Sequence, residues 1–126
     1  MMGLDLSVNI RVNNHSLTHN LTKLASHVPV GTQKRYTGSQ PDDYEMYDLS
    51  LYDVLWHGDE HSIYTLSDIR EYLIIALKYL NNNYEDLSQY NSENGWGNID
   101  NVINVVNNLI KDCNIYDNDA YLEFCR

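Results

Sequence analysis

Two histidines lie four positions apart, a spacing that can serve metal chemistry. His57 and His61 enclose two carboxylates in the segment His57-Gly58-Asp59-Glu60-His61. On a helix this spacing presents both imidazoles to one metal ion. Gly58 disfavours a helix here, and no Glu directly follows the first His as it does in zinc proteases. We therefore favour a polar loop and predict no metal site.

His19 is a second candidate, because it follows Thr18 and precedes Asn20. On the predicted first helix these residues lie opposite the apolar stripe that includes Leu17 and Leu21, so the core does not require His19. An imidazole beside an amide can hydrogen-bond a ligand or accept a proton near neutral pH. A surface or capping histidine is the competing interpretation.

The two cysteines offer no nucleophile of a recognisable type. Cys113 and Cys125 lie in apolar sequence contexts, where a thiol stays protonated and inert, and they lack the spacing of a redox or metal motif. No serine lies in a nucleophile-elbow motif. We predict reduced thiols, no catalytic residue and no cofactor.

Tyrosine is the aromatic residue that dominates the chain, with 11 Tyr against 2 Trp and 1 Phe. Tyr and Trp combine apolar area with a polar group, and both are typical of ligand pockets and interfaces. Four tyrosines lie close together in sequence: Tyr36, Tyr44, Tyr47 and Tyr52. Because the chain has so little Phe, we divide the tyrosines about evenly between core and recognition.

The elements that position these residues are predicted to form an α+β fold in a single domain over residues 1–126. Strict apolar alternation predicts strands over residues 4–12 and 120–125. Pairing of these N- and C-terminal strands gives a small antiparallel sheet, packed against three to five helices. Helical spacing predicts helices over about 16–28, 51–56, 66–80, 84–90 and 99–113, with a strand as the alternative in the region 44–56.

Boundary signals refine this prediction. Residues 13–16 supply turn and N-cap chemistry before the first helix. Residues 29–43 contain both prolines and no periodicity, which predicts a long loop. Thr65 and Asp68 form a helix-start signature, and Asn98 is placed to cap the last helix.

The charge balance limits the classes of partner. The chain has 8 Lys+Arg and 18 Asp+Glu, for a formal net charge of -10 at pH 7. Without a broad basic surface, we expect no direct nucleic-acid binding. The sequence has no apolar run long enough for a membrane span and no signal-peptide pattern, so we expect a cytoplasmic protein.

Three short motifs follow one another along the chain: His19-Asn20, Leu55-Trp56 and Asn94-Gly95-Trp96-Gly97. In this order they resemble a family of small proteins of tailed bacteriophages and some bacteria, for which no biochemical activity is established. The resemblance spans nearly the whole chain. The sequence departs from the family pattern by an insertion at 13–16, by the segment 29–43, and by Gly58 where Pro is usual.

This resemblance implies a phage context, and it raises the expectation that the motif side chains share one ligand pocket. The predicted ligand-binding residues are Thr18, His19, Asn20, Trp56, Asn94 and Trp96. Such a pocket suits a planar, nucleotide-like ligand, whereas the competing interpretation places both tryptophans in the core.

The leading functional hypothesis is a phage binding protein that counters host defence. It either sequesters a nucleotide-like small molecule or blocks a host defence protein, and the acidic charge favours a basic protein partner. Self-association into a homo-oligomer is left open. One alternative is a small hydrolase or transferase with His19 as general base, assisted by Asp53, Asp59 or Glu60. The other is a structural or assembly accessory of the phage particle.

Overall fold

A computed structural model describes residues 3–8, 13–38, 40–91, 97–115 and 122–125. The strands are β1 (Gly3–Val8), β2 (Asn13–Thr18), β3 (Pro29–Tyr36), β4 (Tyr44–Ser50) and β5 (Leu122–Cys125). The α-helices are α1 (Thr22–Ser26), α2 (Leu51–Trp56), α3 (Leu66–Asn82), α4 (Tyr84–Leu87) and α5 (Ile99–Ile115). Short 3-10 helices span His19–Leu21, Gly58–His61 and Ser88–Tyr90. This is the predicted α+β class.

The N- and C-terminal strands pair, as the sequence predicts. In a three-stranded antiparallel sheet of order β2-β1-β5, Leu6 lies opposite both His15 of β2 and Phe124 of β5. The predicted first strand extended to residue 12, but residues 9–12 lie outside the described part of the chain.

The turn predicted at 13–16 is wrong, and the helix predicted over 16–28 is present only over residues 19–26, as a 3-10 helix followed by α1. Residues 13–18 form β2, paired residue by residue with β1, and only Thr22–Ser26 is α-helical. Asn and Ser have low strand propensity, but β1 offers their backbone a continuous row of hydrogen-bond partners. Tertiary pairing therefore overrides the local signal.

The long loop predicted over 29–43 is also wrong, because residues 29–36 form β3 of a β3–β4 hairpin. The connection between the two strands spans only residues 37–43. For 44–56, the helix prediction holds from Leu51 to Trp56, and the strand alternative holds from Tyr44 to Ser50. β3 escaped detection because neither of its faces carries an apolar row: Gly31, Gln33 and Arg35 lie on one face, and Thr32 and Lys34 on the other.

The two long helices agree with the predicted spans and caps. The Thr65 hydroxyl accepts from the backbone N–H of Asp68, whose carboxylate accepts from the backbone N–H of Thr65 in return. Asn98 caps α5 through its side-chain oxygen, which accepts from the backbone N–H of Asn101 at 3.2 Å. The helical turn predicted over 84–90 is present as α4 and the 3-10 helix that follows it.

One hydrophobic core joins the helices to the sheet and to the base of the hairpin. α3 and α5 contribute one apolar face each, and Leu17, Val30 and Leu49 contribute from the strands. Cys113 lies in this core as a free thiol, and burial raises its pKa. Its burial and raised pKa favour the protonated thiol that the sequence predicts, whereas the side chain of Cys125 is outside the described residues.

Candidate functional site

The predicted ligand-binding residues that the structure describes differ in burial. Trp56 is in the core with 2% of its surface exposed, and its ring lies 5.6 Å from that of Tyr52. Asn20 is exposed. Asn94 and Trp96 lie outside the described residues, and of Thr18 and His19 only the backbone is described, at the end of β2 and the start of the first 3-10 helix. The shared pocket therefore stays a prediction.

His57 and His61 bind different groups. The segment Gly58–His61 is a 3-10 helix, and each imidazole hydrogen-bonds a tyrosine hydroxyl: His57 that of Tyr52, and His61 that of Tyr47, both at 2.9 Å. Within the described ranges, no three His, Cys, Asp or Glu side chains are close enough to hold a metal ion.

The carboxylates named for the enzyme alternative have structural contacts. The Asp53 carboxylate accepts from the backbone N–H of Ser50 at 2.8 Å and from its hydroxyl at 3.1 Å, which closes the cap of α2. Glu60 pairs with His57, and Asp59 is half-buried in the same 3-10 helix. The side chain of His19 lies outside the described residues, so the enzyme alternative stays a prediction.

The β3–β4 hairpin has two chemically distinct faces. Directly paired residues of an antiparallel ladder point to the same side, and sides alternate along each strand. The inner face carries the pairs Arg35–Glu45, Gln33–Tyr47 and Gly31–Leu49. The outer face carries the pairs Tyr36–Tyr44, Lys34–Met46 and Thr32–Asp48.

The inner face is fixed to the rest of the protein by hydrogen bonds. Gln33 Nε2 donates to the backbone carbonyl of His61 at 2.9 Å and to the Tyr72 hydroxyl at 3.0 Å. The Tyr47 hydroxyl donates to Gln33 Oε1 at 3.0 Å. Because that bond uses the only hydroxyl proton of Tyr47, His61 Nδ1 must donate to the Tyr47 oxygen. Each polar atom of the Gln33 amide therefore has a partner.

The outer face presents an aromatic and thioether patch to solvent. Tyr36 is 51% exposed, Tyr44 56% and Met46 58%. The two tyrosine rings pack edge to face across the strands, with centroids 5.5 Å apart. Aromatic residues, Tyr among them, and Met are enriched at protein interfaces. Contiguous exposed apolar surface is typical of binding sites.

The hairpin holds this patch in a defined shape. Thr37 N–H donates to the backbone carbonyl of Asp43 at 2.8 Å, which closes the connection. The Arg35 guanidinium pairs with Glu45 and lies 5.1 Å from the centre of the Tyr47 ring. A Cβ at position 38 would come within 2.1 Å of the Asp43 carboxylate, so Gly38 permits the close approach of these two segments. The outer face is therefore preorganised.

Two open clefts on the described surface are both lined by carboxylates. One, of about 430 Å³, has Asp48 and Asp53 in its wall together with His27. The other, of about 390 Å³, is lined by residues 81–86, which include Glu85 and Asp86. Both linings are unfavourable for a phosphate group, because neither includes Lys or Arg.

Tyr36 and Tyr44 were predicted only as members of a tyrosine cluster, and Met46 was not predicted. The available signal was weak, because the apolar alternation changes phase within residues 44–49: Tyr44 and Met46 belong to one face, and Tyr47 and Leu49 to the other. The turn residues of 37–43 follow a run of polar residues. This pattern allows a hairpin to be predicted, but it does not define which residues pair across the two strands.

No helix in the described part of the chain is long and apolar enough to cross a membrane. No protein-family model, no curated protein and no solved structure matches the chain.

Proposed function

We propose that the protein acts by binding, and that its partner is a protein with a basic surface that docks on the outer face of the β3–β4 hairpin. The observation that carries this proposal is the exposed patch of Tyr36, Tyr44 and Met46 on a hairpin whose opposite face is fixed by hydrogen bonds. Rigid aromatic anchors lose little conformational entropy on binding, which favours affinity.

Charge supports a basic partner. The chain carries a net charge of -10, and the patch is bordered by Asp48 on the outer face and by Asp42 and Asp43 in the connection. Among the paired residues of the outer face, Lys34 carries the one basic side chain. Complementary charge steers association and suppresses wrong partners. A second copy of this chain is a less favourable occupant, because both surfaces would be acidic.

In the phage setting that the sequence resemblance implies, this partner is a host defence protein in the host cytoplasm, blocked by the bound protein. Sequestration of a nucleotide-like ligand is less favoured, because the acidic cleft linings would repel its phosphates. A thermal-shift screen with cyclic nucleotides and NAD derivatives distinguishes the two hypotheses. A saturable increase in the unfolding temperature would favour a small-molecule ligand over a protein partner.

Differential capture from a bacterial lysate tests the protein partner. The baits are wild type, the outer-face variant Tyr36→Thr/Tyr44→Thr/Met46→Thr, and the control Ile74→Gln/Ile75→Gln, which removes an exposed apolar pair from α3. Thr maintains strand propensity and Gln maintains helix propensity, so each bait should fold.

We expect a protein that wild type and control retain and that the outer-face variant loses. With the purified partner, the Kd should rise at least about tenfold in the variant, which corresponds to about 1.4 kcal/mol. The affinity should fall as salt rises from 50 to 300 mM, since exposed charges are screened over about 10 Å at 0.1 M. Equal capture by all three baits, or an acidic partner with salt-independent affinity, would overturn the proposal.

A further inference from the structure

A tyrosine, a histidine and a glutamate form a hydrogen-bonded chain at the end of α2. The Tyr52 hydroxyl lies 2.9 Å from His57 Nε2, and the rings meet edge to face with centroids 5.1 Å apart. His57 Nδ1 in turn pairs with the Glu60 carboxylate of the following 3-10 helix. The three residues lie within nine positions of one another, so the local fold alone assembles the chain.

The carboxylate determines where the proton of the imidazole lies. An ionised Glu60 can only accept, so His57 Nδ1 carries the hydrogen and Nε2 of the neutral ring accepts from the Tyr52 hydroxyl. A hydroxyl that donates to an imidazole, which a carboxylate orients from behind, is the arrangement that activates a nucleophile. His57 is in position to remove the phenolic proton as Tyr52 attacks.

The other tyrosine–histidine pair has the opposite polarity. Tyr47 donates its proton to Gln33 Oε1, so His61 donates to the Tyr47 oxygen and cannot take a proton from it. Tyr47 is therefore an internal reference: it has the same residue types and the same 2.9 Å contact, without an available base.

The site also meets solvent. The His57 side chain is 32% exposed and that of Glu60 is 59% exposed, whereas Tyr52 is half-buried against the core. Tyr52 thus lies between the core and a hydrogen-bonded His57–Glu60 pair that is in contact with water. Asp59 and Glu60 make the surroundings acidic, which disfavours anionic phosphoryl donors and favours a neutral electrophile.

We propose that Tyr52 is a nucleophile that accepts an acyl group from neutral carboxylic esters, with His57 as its general base and Glu60 as a positioning residue. The Tyr52 oxygen attacks the ester carbonyl carbon while its proton passes to His57 Nε2, and Glu60 stabilises the resulting imidazolium. The tetrahedral adduct then collapses, the C–O bond to the leaving group breaks, and the proton moves from His57 to the departing oxygen. The products are the tyrosine ester and a free alcohol or phenol.

Acetylation by p-nitrophenyl acetate tests this inference. Acid-quenched time points are digested, and mass spectrometry follows the added acetyl group on Tyr52, on Tyr47 and on the exposed Tyr64. Since a positioned general base contributes about 10² to 10⁴ in rate, we expect Tyr52 to react at least about tenfold faster than Tyr64.

His57→Gln should reduce the Tyr52 rate to that of Tyr64, whereas the matched His61→Gln should leave it unchanged. Glu60→Ala should lower the Tyr52 rate without changing that of Tyr64, and Glu60→Asp should restore part of it, an effect that a merely structural role would not produce. Because Glu60 is exposed, its variants keep the test valid if His57→Gln fails to fold. A Tyr52 rate no higher than that of Tyr64, or one indifferent to Glu60→Ala, would overturn the inference.

Discussion

The two faces of the β3–β4 hairpin use tyrosine in opposite ways. On the inner face, the Tyr47 hydroxyl hydrogen-bonds Gln33 and His61, and its ring packs against the core. On the outer face, Tyr36 and Tyr44 contact each other and leave about half of their surfaces to solvent. Because sides alternate along a strand, a shift of one residue in register would exchange the two sets.

This difference separates stability from recognition within one small element. Inner-face side chains fill space and satisfy buried polar groups, so their loss should affect the free energy of unfolding. Outer-face side chains contribute little to the free energy of unfolding, because about half of their surface is already solvated in the folded state. Substitutions on the inner face should therefore change the free energy of unfolding, and substitutions on the outer face should change the affinity for the partner.

The largest effect on stability should come from Leu49, which is fully buried on the inner face. Leu49→Ala should lower the free energy of unfolding by about 2 to 5 kcal/mol, the range for cavity-forming substitutions in cores. Urea denaturation followed by circular dichroism measures it. The control Met46→Ala, on the outer face of the same strand, should change it by less than about 0.5 kcal/mol. Equal losses from the two variants would remove the distinction between the faces.

A smaller effect should follow from Tyr47→Phe, which removes one hydroxyl and preserves the ring. Gln33 Oε1 and His61 Nδ1 would then lose a partner in a partly buried network. We expect a loss of about 1 to 3 kcal/mol, the cost of an unsatisfied buried polar group. Tyr44→Phe is the matched change on the outer face and should be nearly neutral. If Tyr47→Phe were equally neutral, the network would not fix the hairpin.

Loss of the cap at the junction of β4 and α2 should lower the free energy of unfolding by a smaller amount. Ser50 ends β4 and caps α2, where its hydroxyl accepts from the backbone N–H of Asp53 at 3.3 Å. Ser50→Ala should cost about 1 kcal/mol, as is usual for loss of an N-cap side chain. The midpoint of thermal unfolding checks this, with Lys78→Ala, exposed in the interior of α3, as control. A stabilised Ser50→Ala variant would contradict the capping geometry.

Much of the fold was predictable because its main elements have strong periodicity. α3 and α5 each bury one regular apolar stripe between capping residues, and the alternation at both ends of the chain predicts β1 and β5. β2 and β3 were not predictable in this way. Asn13–Thr18 is mostly polar and becomes a strand through its pairing with β1, and neither face of Pro29–Tyr36 carries an apolar row.

The candidate site was predictable only in part. Composition and clustering drew attention to Tyr36, Tyr44, Tyr47 and Tyr52, but which of them are exposed depends on register. The partner of His61 is a tyrosine 14 positions earlier on another element, and no local pattern indicates that contact. For His57, the contact with Tyr52 depends on how α2 ends, which the periodicity of a short helix does not define.

Site-specific photo-crosslinking from the outer face shows whether the bound partner contacts this face. p-Benzoylphenylalanine replaces Met46 in one variant and Ile74 of α3 in the other, and both positions are exposed. The account predicts that irradiation of the complex with the captured partner gives a covalent adduct from position 46 and none from position 74. An adduct from position 74 alone, or equal yields from both positions, would contradict the claim that the outer face of the hairpin is the recognition surface.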